Sequence, residues 1–491
     1  MSDPLLILGA IICPMVGALL LALVPEENNR VRNPLAVLTA VITASFVVTL
    51  FVRVLNGAVP AVHVITLMRG LDIVFRVDPL AAAFSTLASV LWVFAALYST
   101  GYMAHEHNRR RYFTFYILSL GATMGIAFSA NLFTLYLCYE FLTIFTYPLV
   151  IHAGNAEAQA AGKRYIIYSF LGAGLILSAI VMTAGAVGTI TFASGGILTV
   201  ADGPAHYLQL IFLCFILGFG VKAAIMPLHA WLPAAMAAPT PVSALLHAVA
   251  VVKSGIFGIL RAMYSVFGVE TLGELSLGLF VVVIASITIV SASLIALRQD
   301  ALKRRLAYST ISQLSYIILG AGLLSVAGAT GGMLHMINHA LLKITLFFCA
   351  GAIITVTGKK KISELNGVGV RMPLTMMAFT VGSIGMVGIL PVNGFISKLY
   401  LLQGSLDAGM LAVIAVLVVS AILNALYFFP IVITAFFRQG AFERAKGPEA
   451  PLTMLVPVCV LAVICIVLGI KPDLTIPFVR SMVDFLMPLA M

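Results

Sequence analysis

Residues 221–255 read VKAAIMPLHAWLPAAMAAPTPVSALLHAVAVVKSG, and this stretch decides what kind of fold the chain adopts. It is apolar enough to lie inside a lipid bilayer, yet it holds Lys222 and Lys253. A charge at that depth costs roughly 2.5–3.5 kcal/mol on insertion scales, so such residues usually mark an ion pathway. Pro227 and Pro233 lie between the two lysines. Each removes a backbone donor, which predicts an interrupted membrane helix.

The rest of the chain has the composition of a polytopic helical membrane protein. Of its 491 residues, 62% are hydrophobic and 9% are charged, and the mean hydropathy is +1.11. The longest polar stretch, at about 439–450, is too short for a large soluble domain. We therefore predict an all-α membrane fold of about fourteen transmembrane spans. They lie near 4–24, 34–55, 79–102, 112–130, 131–151, 164–188, 207–230, 241–263, 276–297, 306–325, 330–356, 373–404, 409–437 and 452–470.

Basic residues crowd one side of these predicted spans. Strict alternation puts Arg109–Arg111, Arg298 and Lys359–Lys361 on the same side as most other cations, and this side is called the basic face below. Positive charge collects in cytoplasmic loops, so we predict a cytoplasmic basic face and outer termini in an inner or cell membrane. The same distribution accounts for the net charge of +10 without a nucleic-acid partner. The first apolar run lacks a basic flank and a cleavage site, which indicates a retained helix.

A second interrupted span is predicted where the chain reads GILPVNGFISK, with Pro391, Gly394 and then Lys398. Spans four to eight and nine to thirteen then form two five-helix units with a broken fourth member each. An odd number of helices inverts the second unit relative to the first. The predicted segments are 1–111 with helices one to three, 112–264 as the first repeat, 265–438 as the second, inverted repeat, and 439–491 with helix fourteen and the tail.

Five ionisable side chains fall well inside predicted spans: Glu140, Lys222, Lys253, Lys343 and Lys398. The four lysines cannot all stay charged beside a single acid, because desolvation and mutual repulsion disfavour the ammonium form. A lysine poised between its charged and neutral forms accepts and releases protons. The alternative for each residue is a structural or snorkelling role.

Histidines extend this pattern. His335, His339 and Lys343 recur every four residues in HMINHALLK, so they project from one stripe of a helix and form a ladder that can pass protons. His229 and His247 are accessory candidates, although a lone buried histidine is more often a core residue. No carboxylate or cysteine joins the histidines at ligand spacing, which argues against a metal site. No nucleotide or phosphate motif calls for a cofactor.

Together these residues resemble the antiporter-like subunits shared by respiratory complex I, Mrp-type multi-subunit cation/proton antiporters and membrane-bound hydrogenases. The resemblance covers nearly the whole chain, most clearly residues 78–440. Its most specific motif is the 221–255 stretch. Supporting motifs are DALKRRLAYSTISQLSYIILG at 300–320, HMINHALLKITLFFCAG at 335–351 and LPVNGFISKLYLL at 390–402.

The resemblance implies about fourteen transmembrane helices in two inverted repeats, with a polar axis across the middle of the membrane. Asp300 and the basic cluster after it match a family stretch, and we interpret them as a cytoplasmic connection outside the path. The roles that the resemblance implies are a gating ion pair of Glu140 and Lys222, a connecting Lys253, a relay of His335, His339 and Lys343, and a terminal Lys398.

The sequence therefore predicts a proton-translocating membrane subunit of a multi-subunit complex, with Na⁺/H⁺ exchange left open. No catalytic site of its own is recognisable, so electron transfer would belong to partner membrane subunits. One alternative is a stand-alone secondary transporter of a solute, which also uses broken helices and midplane charges. Another is a quinone-binding membrane subunit of an oxidoreductase.

Overall fold

A computed structural model of the chain shows long helices from end to end. It describes residues 2–68, 70–438 and 449–488, so part of the predicted C-terminal segment, 439–448 and 489–491, lies outside the described residues. The helices before the first break are α1 (Asp3–Leu23), α2 (Asn29–Leu55), α3 (Pro79–Tyr102), α4 (Arg109–Phe128), α5 (Leu132–Val150), α6 (Ala156–Val187) and α7 (Ala205–Ala223). The next are α8 (Trp231–Ala234), α9 (Thr240–Ala248), α10 (Val251–Arg261), α11 (Gly268–Glu274), α12 (Leu277–Leu297), α13 (Leu302–Gly322) and α14 (Val326–Thr357). The last are α15 (Val368–Arg371), α16 (Pro373–Val387), α17 (Gly394–Asp407), α18 (Leu411–Phe437), α19 (Leu452–Ile470) and α20 (Ile476–Leu486).

Helix length and composition confirm the predicted polytopic membrane fold. Among the described residues, eleven helical segments are long and apolar enough to cross a membrane. The predicted count of about fourteen spans, the inverted repeats and their bounds stay predictions. Residues 240–268 are all buried, and α14 is mostly buried. These two elements form the centre of the molecule, while α1, α2, α18 and α19 are less than half buried and lie at the periphery.

The break predicted in the seventh span is present. The chain leaves α7 at Ala224, which takes a left-handed conformation with φ of +58°. It then passes Pro227 without helical structure, and Pro233 lies inside the short α8 beyond the break. The indole of Trp231 donates a hydrogen bond of 2.7 Å to the Val221 carbonyl. The Val221 carbonyl also accepts from the Ala224 N–H at 3.1 Å, so two donors hold it at the end of α7.

The break predicted in the twelfth span is also present, between α16 and α17. Gly388 turns the chain out of α16 with φ of +90°, and Pro391 lies in the gap. The side chain of Asn338 on α14 donates to the Asn393 carbonyl at 2.9 Å, and the Asn393 amide donates back to Asn338 Oδ1 at 3.0 Å. This exchange satisfies polar groups that the break would leave exposed inside a bilayer. Gly394 then starts α17 against the Gly385 carbonyl, where a Cβ would collide.

The span predicted near 241–263 lies within one apolar helical segment, Thr240–Glu274, which contains a third interruption. Two residues separate the end of α9 from the start of α10. One of them, Ala250, donates its N–H to the Leu245 carbonyl at 2.9 Å, which is five residues back, whereas the α-helical bond goes four residues back. A π-helical turn follows α10. Neither irregularity contains a proline, so nothing local in the sequence indicates them. As a result, His247 and Lys253 stand on two different helices.

The polar and β-branched residues of 56–78 alternate in a way that predicts an extended hairpin, and the structure has an antiparallel hairpin there of β1 (Ala61–Met68) and β2 (Leu71–Arg76). The hairpin is held by loops on the side opposite the basic face. The Ala130 N–H donates to the Val74 carbonyl at 3.0 Å, and the Arg76 guanidinium donates to the Phe192 carbonyl at 2.7 Å. We call this side the hairpin face.

Both ends of the described chain also lie at the hairpin face. Asp3 forms an ion pair with Arg53, at the end of α2 that leads into the hairpin. At the other end, Ser194 in a hairpin-face loop donates to the Phe485 carbonyl of α20. The stretch after α19 therefore contains a short helix, α20, that packs on this face.

Candidate functional site

The central helix α14 carries the predicted ladder on one stripe. His335, His339 and Lys343 are each 99% buried or more. Lys253, on the neighbouring α10, is equally buried, and its Nζ lies 3.2 Å from His339 Nδ1. The structure thus brings Lys253 into direct hydrogen-bonding contact with the middle of the ladder. A proton can pass between an amine and an imidazole at that distance.

One end of the ladder reaches the second broken span. His335 Nδ1 lies 2.9 Å from the Ser397 hydroxyl on α17. The His335 ring stacks on Tyr316 of α13 with ring centroids 5.2 Å apart, and it lies 5.9 Å from the ring of His339. Ser397 precedes Lys398 in the chain. The ladder is therefore connected to the helix that bears the terminal lysine.

Lys398 itself holds the end of the preceding half-helix. Its Nζ donates to the Met386 and Val387 carbonyls at 2.7 and 2.9 Å, which are among the last carbonyls of α16. The ammonium also lies 5.3 Å from the centre of the Tyr316 ring. A small apolar cavity of about 130 Å³ adjoins it. Lys398 and His335 thus share Tyr316 as a neighbour.

The other end of the ladder is Lys343. Its Nζ donates to the Leu306 carbonyl of α13 at 3.1 Å and to the Ser309 hydroxyl. His247 lies near this end, with its ring centroid 5.0 Å from that of Phe347, one turn along α14 from Lys343. Both ring nitrogens of His247 are buried without a hydrogen-bond partner among the described residues. The accessory candidate His247 therefore faces the predicted path.

The predicted ion pair of Glu140 and Lys222 is not formed in this structure. Lys222 Nζ instead donates to the Tyr139 carbonyl at 2.6 Å and lies 3.3 Å from the centre of the Tyr139 ring. Glu140 Oε1 is buried and has no hydrogen-bond partner among the described residues. Because Tyr139 and Glu140 are adjacent on α5, their side chains point in different directions around the helix. Lys222 occupies the Tyr139 side and interacts with Glu140 only at longer range.

His229 is not joined to the other candidates by any hydrogen bond or ring contact that the described residues show. It is half-buried after the first break, with its ring 6.1 Å from that of Tyr308. Several polar groups that complete the site were absent from the sequence prediction. They are Ser309, Tyr316, Asn338, Asn393 and Ser397. Serine, tyrosine and asparagine occur in many membrane helices, so only their neighbours in space reveal their roles.

No set of three or more histidine, cysteine, aspartate or glutamate residues in the described part of the chain is arranged to hold a metal ion. What the structure places together are groups that bind and release protons: Lys253, His339 and His335, with Lys343 and Lys398 at the two ends. The fold and this buried line define a polytopic membrane protein with a row of ionisable side chains through its core.

Comparison with known proteins identifies the family. The family model described as "NADH:quinone oxidoreductase/Mrp antiporter, TM" matches residues 129–424, and the one described as "NADH-Ubiquinone oxidoreductase (complex I), chain 5 N-terminus" matches residues 68–113. The first match covers more than half of the chain and includes every ionisable residue of the buried line. The chain therefore belongs to the family of antiporter-like membrane subunits found in NADH:quinone oxidoreductases and Mrp antiporters.

Individual relatives agree with this assignment. NADH-quinone oxidoreductase subunit N of Desulforudis audaxviator is 34% identical over 419 residues, which are 82% of each protein. A protein of Rhizobium meliloti that is named as part of a probable K⁺/H⁺ antiporter is 29% identical over 96% of this chain, but the chain spans only 48% of that relative.

Two solved structures share the fold. A chain of an archaeal membrane-bound sulfane sulfur reductase superposes with a TM-score of 0.89 at 27% identity, covering 99% of this chain and 98% of the other. A chain of the Mrp complex from Dietzia sp. gives the same TM-score and coverage at 22% identity, a level at which only the fold is compared.

Proposed function

We propose that this chain is a proton-translocating subunit of a larger membrane complex. Protons would pass along the buried line from Lys222 through Lys253 and the α14 ladder to Lys398. The observation that carries the proposal is the contact of Lys253 Nζ with His339 Nδ1 at 3.2 Å, deep in the core. It supports a connection between the two predicted repeats, 112–264 and 265–438.

Glu140 acts in this proposal as a gate. Lys222 has two places for its ammonium: the Tyr139 carbonyl and ring, where it lies in this structure, and the neighbouring Glu140 carboxylate. Moving towards Glu140 stabilises the charged lysine, and moving away favours release of its proton. Transfer of one charge against 100 mV costs about 2.3 kcal/mol, and a partly buried pair is worth a similar few kcal/mol. The gate therefore operates on the energy scale of the membrane potential.

The orientation of the chain in the membrane follows from the charges of the two faces. We place the basic face in the cytoplasm, because arginine and lysine concentrate in its loops, and both termini on the outer side.

The partners are other membrane subunits, since the relatives are named as subunits of larger assemblies. Na⁺ exchange against protons is a second function of the same path, and the antiporter names among the relatives support testing it.

Substitution at the gate tests the proposal. Glu140→Gln and Lys222→Met should each abolish coupled proton translocation, measured with a pH-sensitive dye in inverted vesicles that contain the whole complex. Lys163→Met, an exposed residue of α6 on the basic face, is the matched control and should translocate normally. Assembly should be intact in all three on a native gel. Wild-type translocation by either gate variant would refute the assigned roles.

Expression of the chain alone distinguishes a subunit of a complex from a stand-alone solute carrier. A stand-alone carrier moves its solute without partners, whereas one component of a pump does not. Uptake of an organic solute by vesicles that contain only this chain would contradict the complex-subunit proposal. Repeating the vesicle assay with and without Na⁺ shows whether Na⁺ is exchanged.

A further inference from the structure

A cavity of about 400 Å³ opens beside the first break, between α6 and α13. Its charged lining residues are Glu157 and Arg164 of α6 and Arg304 of α13. Tyr308 of α13 adds a hydroxyl group, and Ala230 lines the cavity from the end of the break. Among the described residues, none that lines this cavity belongs to the buried line, so it is a separate site. We call it the side cavity.

The two arginines of the side cavity are open to a ligand. Both are exposed, and the ion pairs among the described residues do not include Arg164. Arg304 has one loose partner: its Nη2 lies 3.4 Å from Glu157 Oε1, and 53% and 66% of the two side chains are exposed. An exposed pair of this kind contributes little stability. A phosphate group can therefore displace Glu157 and accept hydrogen bonds from the guanidinium groups, whose planar donors match phosphate oxygens.

Arg164 lies near the depth of lipid headgroups. Helix α6 has 32 residues and is therefore about 48 Å long, roughly 18 Å more than the hydrocarbon core of a bilayer. With this excess shared by the two ends, the hydrocarbon begins about 9 Å along α6 from Ala156, and Arg164 lies about 12 Å along it. Side chains of a helix tilt toward its N-terminus, so the guanidinium points back to the basic face. The long side chain thus reaches the layer in which lipid phosphates lie.

Towards the middle of the membrane, the same stripe of α6 becomes apolar. Ile167 and Leu171 follow Arg164 at spacings of three and seven residues, and they are 55% and 53% exposed. Gly174 continues the stripe, and no atom lies within 4 Å of a Cβ built there, so the surface is open. Pro227 of the break is also exposed. A ligand with a charged head and an apolar chain fits this surface, whereas free phosphate would use the cavity alone.

We propose that the side cavity binds the headgroup of an anionic phospholipid from the leaflet at the basic face. Arg164 and Arg304 hold the phosphate, and an acyl chain lies on Ile167 and Leu171. Basic pockets between membrane helices on the cytoplasmic side bind anionic headgroups in this way. Because the two arginines belong to different helices, the phosphate links α6 to α13 next to the break. This inference goes beyond the proposed function and does not depend on proton translocation.

Lipid binding is measured on the purified whole complex after detergent has removed its lipids. Phosphatidylglycerol and phosphatidylcholine that carry the same fluorescent acyl chain are titrated onto it, and fluorescence anisotropy gives each Kd. Phosphatidylglycerol should bind more tightly, because the lining has two cations and one acid. Excess inorganic phosphate should compete only weakly, because it lacks the acyl chain that contacts α6.

Substitutions at the side cavity identify the site. Arg164→Gln and Arg304→Gln should each weaken phosphatidylglycerol binding about fivefold, and the double variant about thirtyfold. Lys163→Gln is the matched control and should leave the Kd unchanged, since this exposed neighbour on α6 has the same charge but does not line the cavity. Glu157→Gln should tighten binding about fivefold, because it removes an acid that repels phosphate and competes for Arg304. Misfolding does not produce such a gain of affinity.

Three results would overturn the lipid site. An unchanged Kd in the double variant would mean that the lipid binds elsewhere or that a partner subunit covers the side cavity in the complex. An equal loss of affinity in Lys163→Gln would mean that the basic face attracts anionic lipid only by its overall charge. Displacement by inorganic phosphate at the lipid's own Kd would assign the cavity to a free anion.

Discussion

The buried lysines of this chain are held mainly by backbone carbonyls rather than by acids. Lys222, Lys343 and Lys398 each donate to a main-chain oxygen, and Lys253 contacts an imidazole. A carbonyl accepts a hydrogen bond from an ammonium and from a neutral amine alike, whereas a carboxylate strongly favours the ammonium. Carbonyl contacts therefore let a lysine lose its proton without losing its place. This arrangement suits residues that must carry a charge only part of the time.

The buried ion pair of Asp78 and Arg261 has a structural role instead, because a carboxylate strongly favours the charged form of its partner. Asp78, at the N-cap of α3, accepts two hydrogen bonds from Arg261 at 2.7 and 2.8 Å, and both side chains are 1% exposed. We predict that Asp78→Asn destabilises the protein by about 3–5 kcal/mol, because it leaves the Arg261 charge buried without compensation. Thermal unfolding of the purified complex measures the loss. Asp78→Asn combined with Arg261→Gln should recover much of it, and an undiminished loss in the double variant would contradict the reason given.

The same pair sets a pH dependence. Burial alone would raise the pKa of Asp78, but the charge and hydrogen bonds of Arg261 outweigh it, so the pKa lies below its ordinary value. A carboxyl with a lowered pKa contributes stability above its unfolded pKa, about 3.9, and loses that contribution as pH falls through the folded value. The wild type should therefore lose this contribution only in strong acid, and Asp78→Asn should lack it at every pH.

At the scale of elements, close packing brings α10, which carries Lys253, against the end of α7, which carries Lys222. A Cβ on Gly255 would collide with the backbone at Lys222 and Ala223, and a Cβ on Gly258 would collide with the Phe219 ring. The two glycines therefore allow α10 to lie directly against the end of α7, next to the first break. Lys253, two residues before Gly255, is held near Lys222 by this contact.

We predict that Gly255→Ala displaces α10 and costs about 1–3 kcal/mol, because backbone atoms cannot move aside as side chains do. Thermal unfolding of the complex and its proton translocation should both decline. Gly174→Ala on α6 is the matched control, since nothing lies within 4 Å of its added Cβ. Replacing that helical glycine should be neutral or slightly stabilising, by up to about 1 kcal/mol. Equal behaviour of the two variants would show that close approach at Gly255 is unimportant.

Elements with strong local signals could be predicted from the sequence. Proline indicated the breaks at Pro227 and Pro391, and alternating β-branched residues indicated the hairpin. The interruption before Val251 has no such signal, because a chain can shift from a four-residue to a five-residue hydrogen-bond step with any side chain. The hydrogen bond of Lys222 to the Tyr139 carbonyl could not be predicted either, because every residue has a backbone carbonyl. Sequence reasoning thus identified the ionisable residues but could not choose their partners.

For the whole molecule, the two faces have different structures. The basic face holds one cavity of about 450 Å³ and a second of about 400 Å³, and Glu157 and Arg304 line both. The hairpin face carries β1, β2, α20 and the loops that bind them. A cavity of about 340 Å³ on that face is lined by apolar residues such as Val54 and Phe478, and by Ser481. Charged side chains therefore line the two cavities of the basic face, whereas the lining of the hairpin-face cavity is uncharged.

The orientation of these faces in the membrane can be measured with introduced cysteines. Lys163→Cys lies on the basic face and Val64→Cys lies on exposed β1, and the native cysteines of the described chain all lie within helices. We predict that a membrane-impermeant maleimide labels Lys163→Cys only in inverted vesicles and Val64→Cys only in right-side-out vesicles, because the proposed orientation puts the basic face in the cytoplasm. Both should label after detergent solubilisation, which controls for reactivity. The reverse pattern would contradict the cytoplasmic assignment, and labelling of both positions from one side would contradict the separation of the two faces.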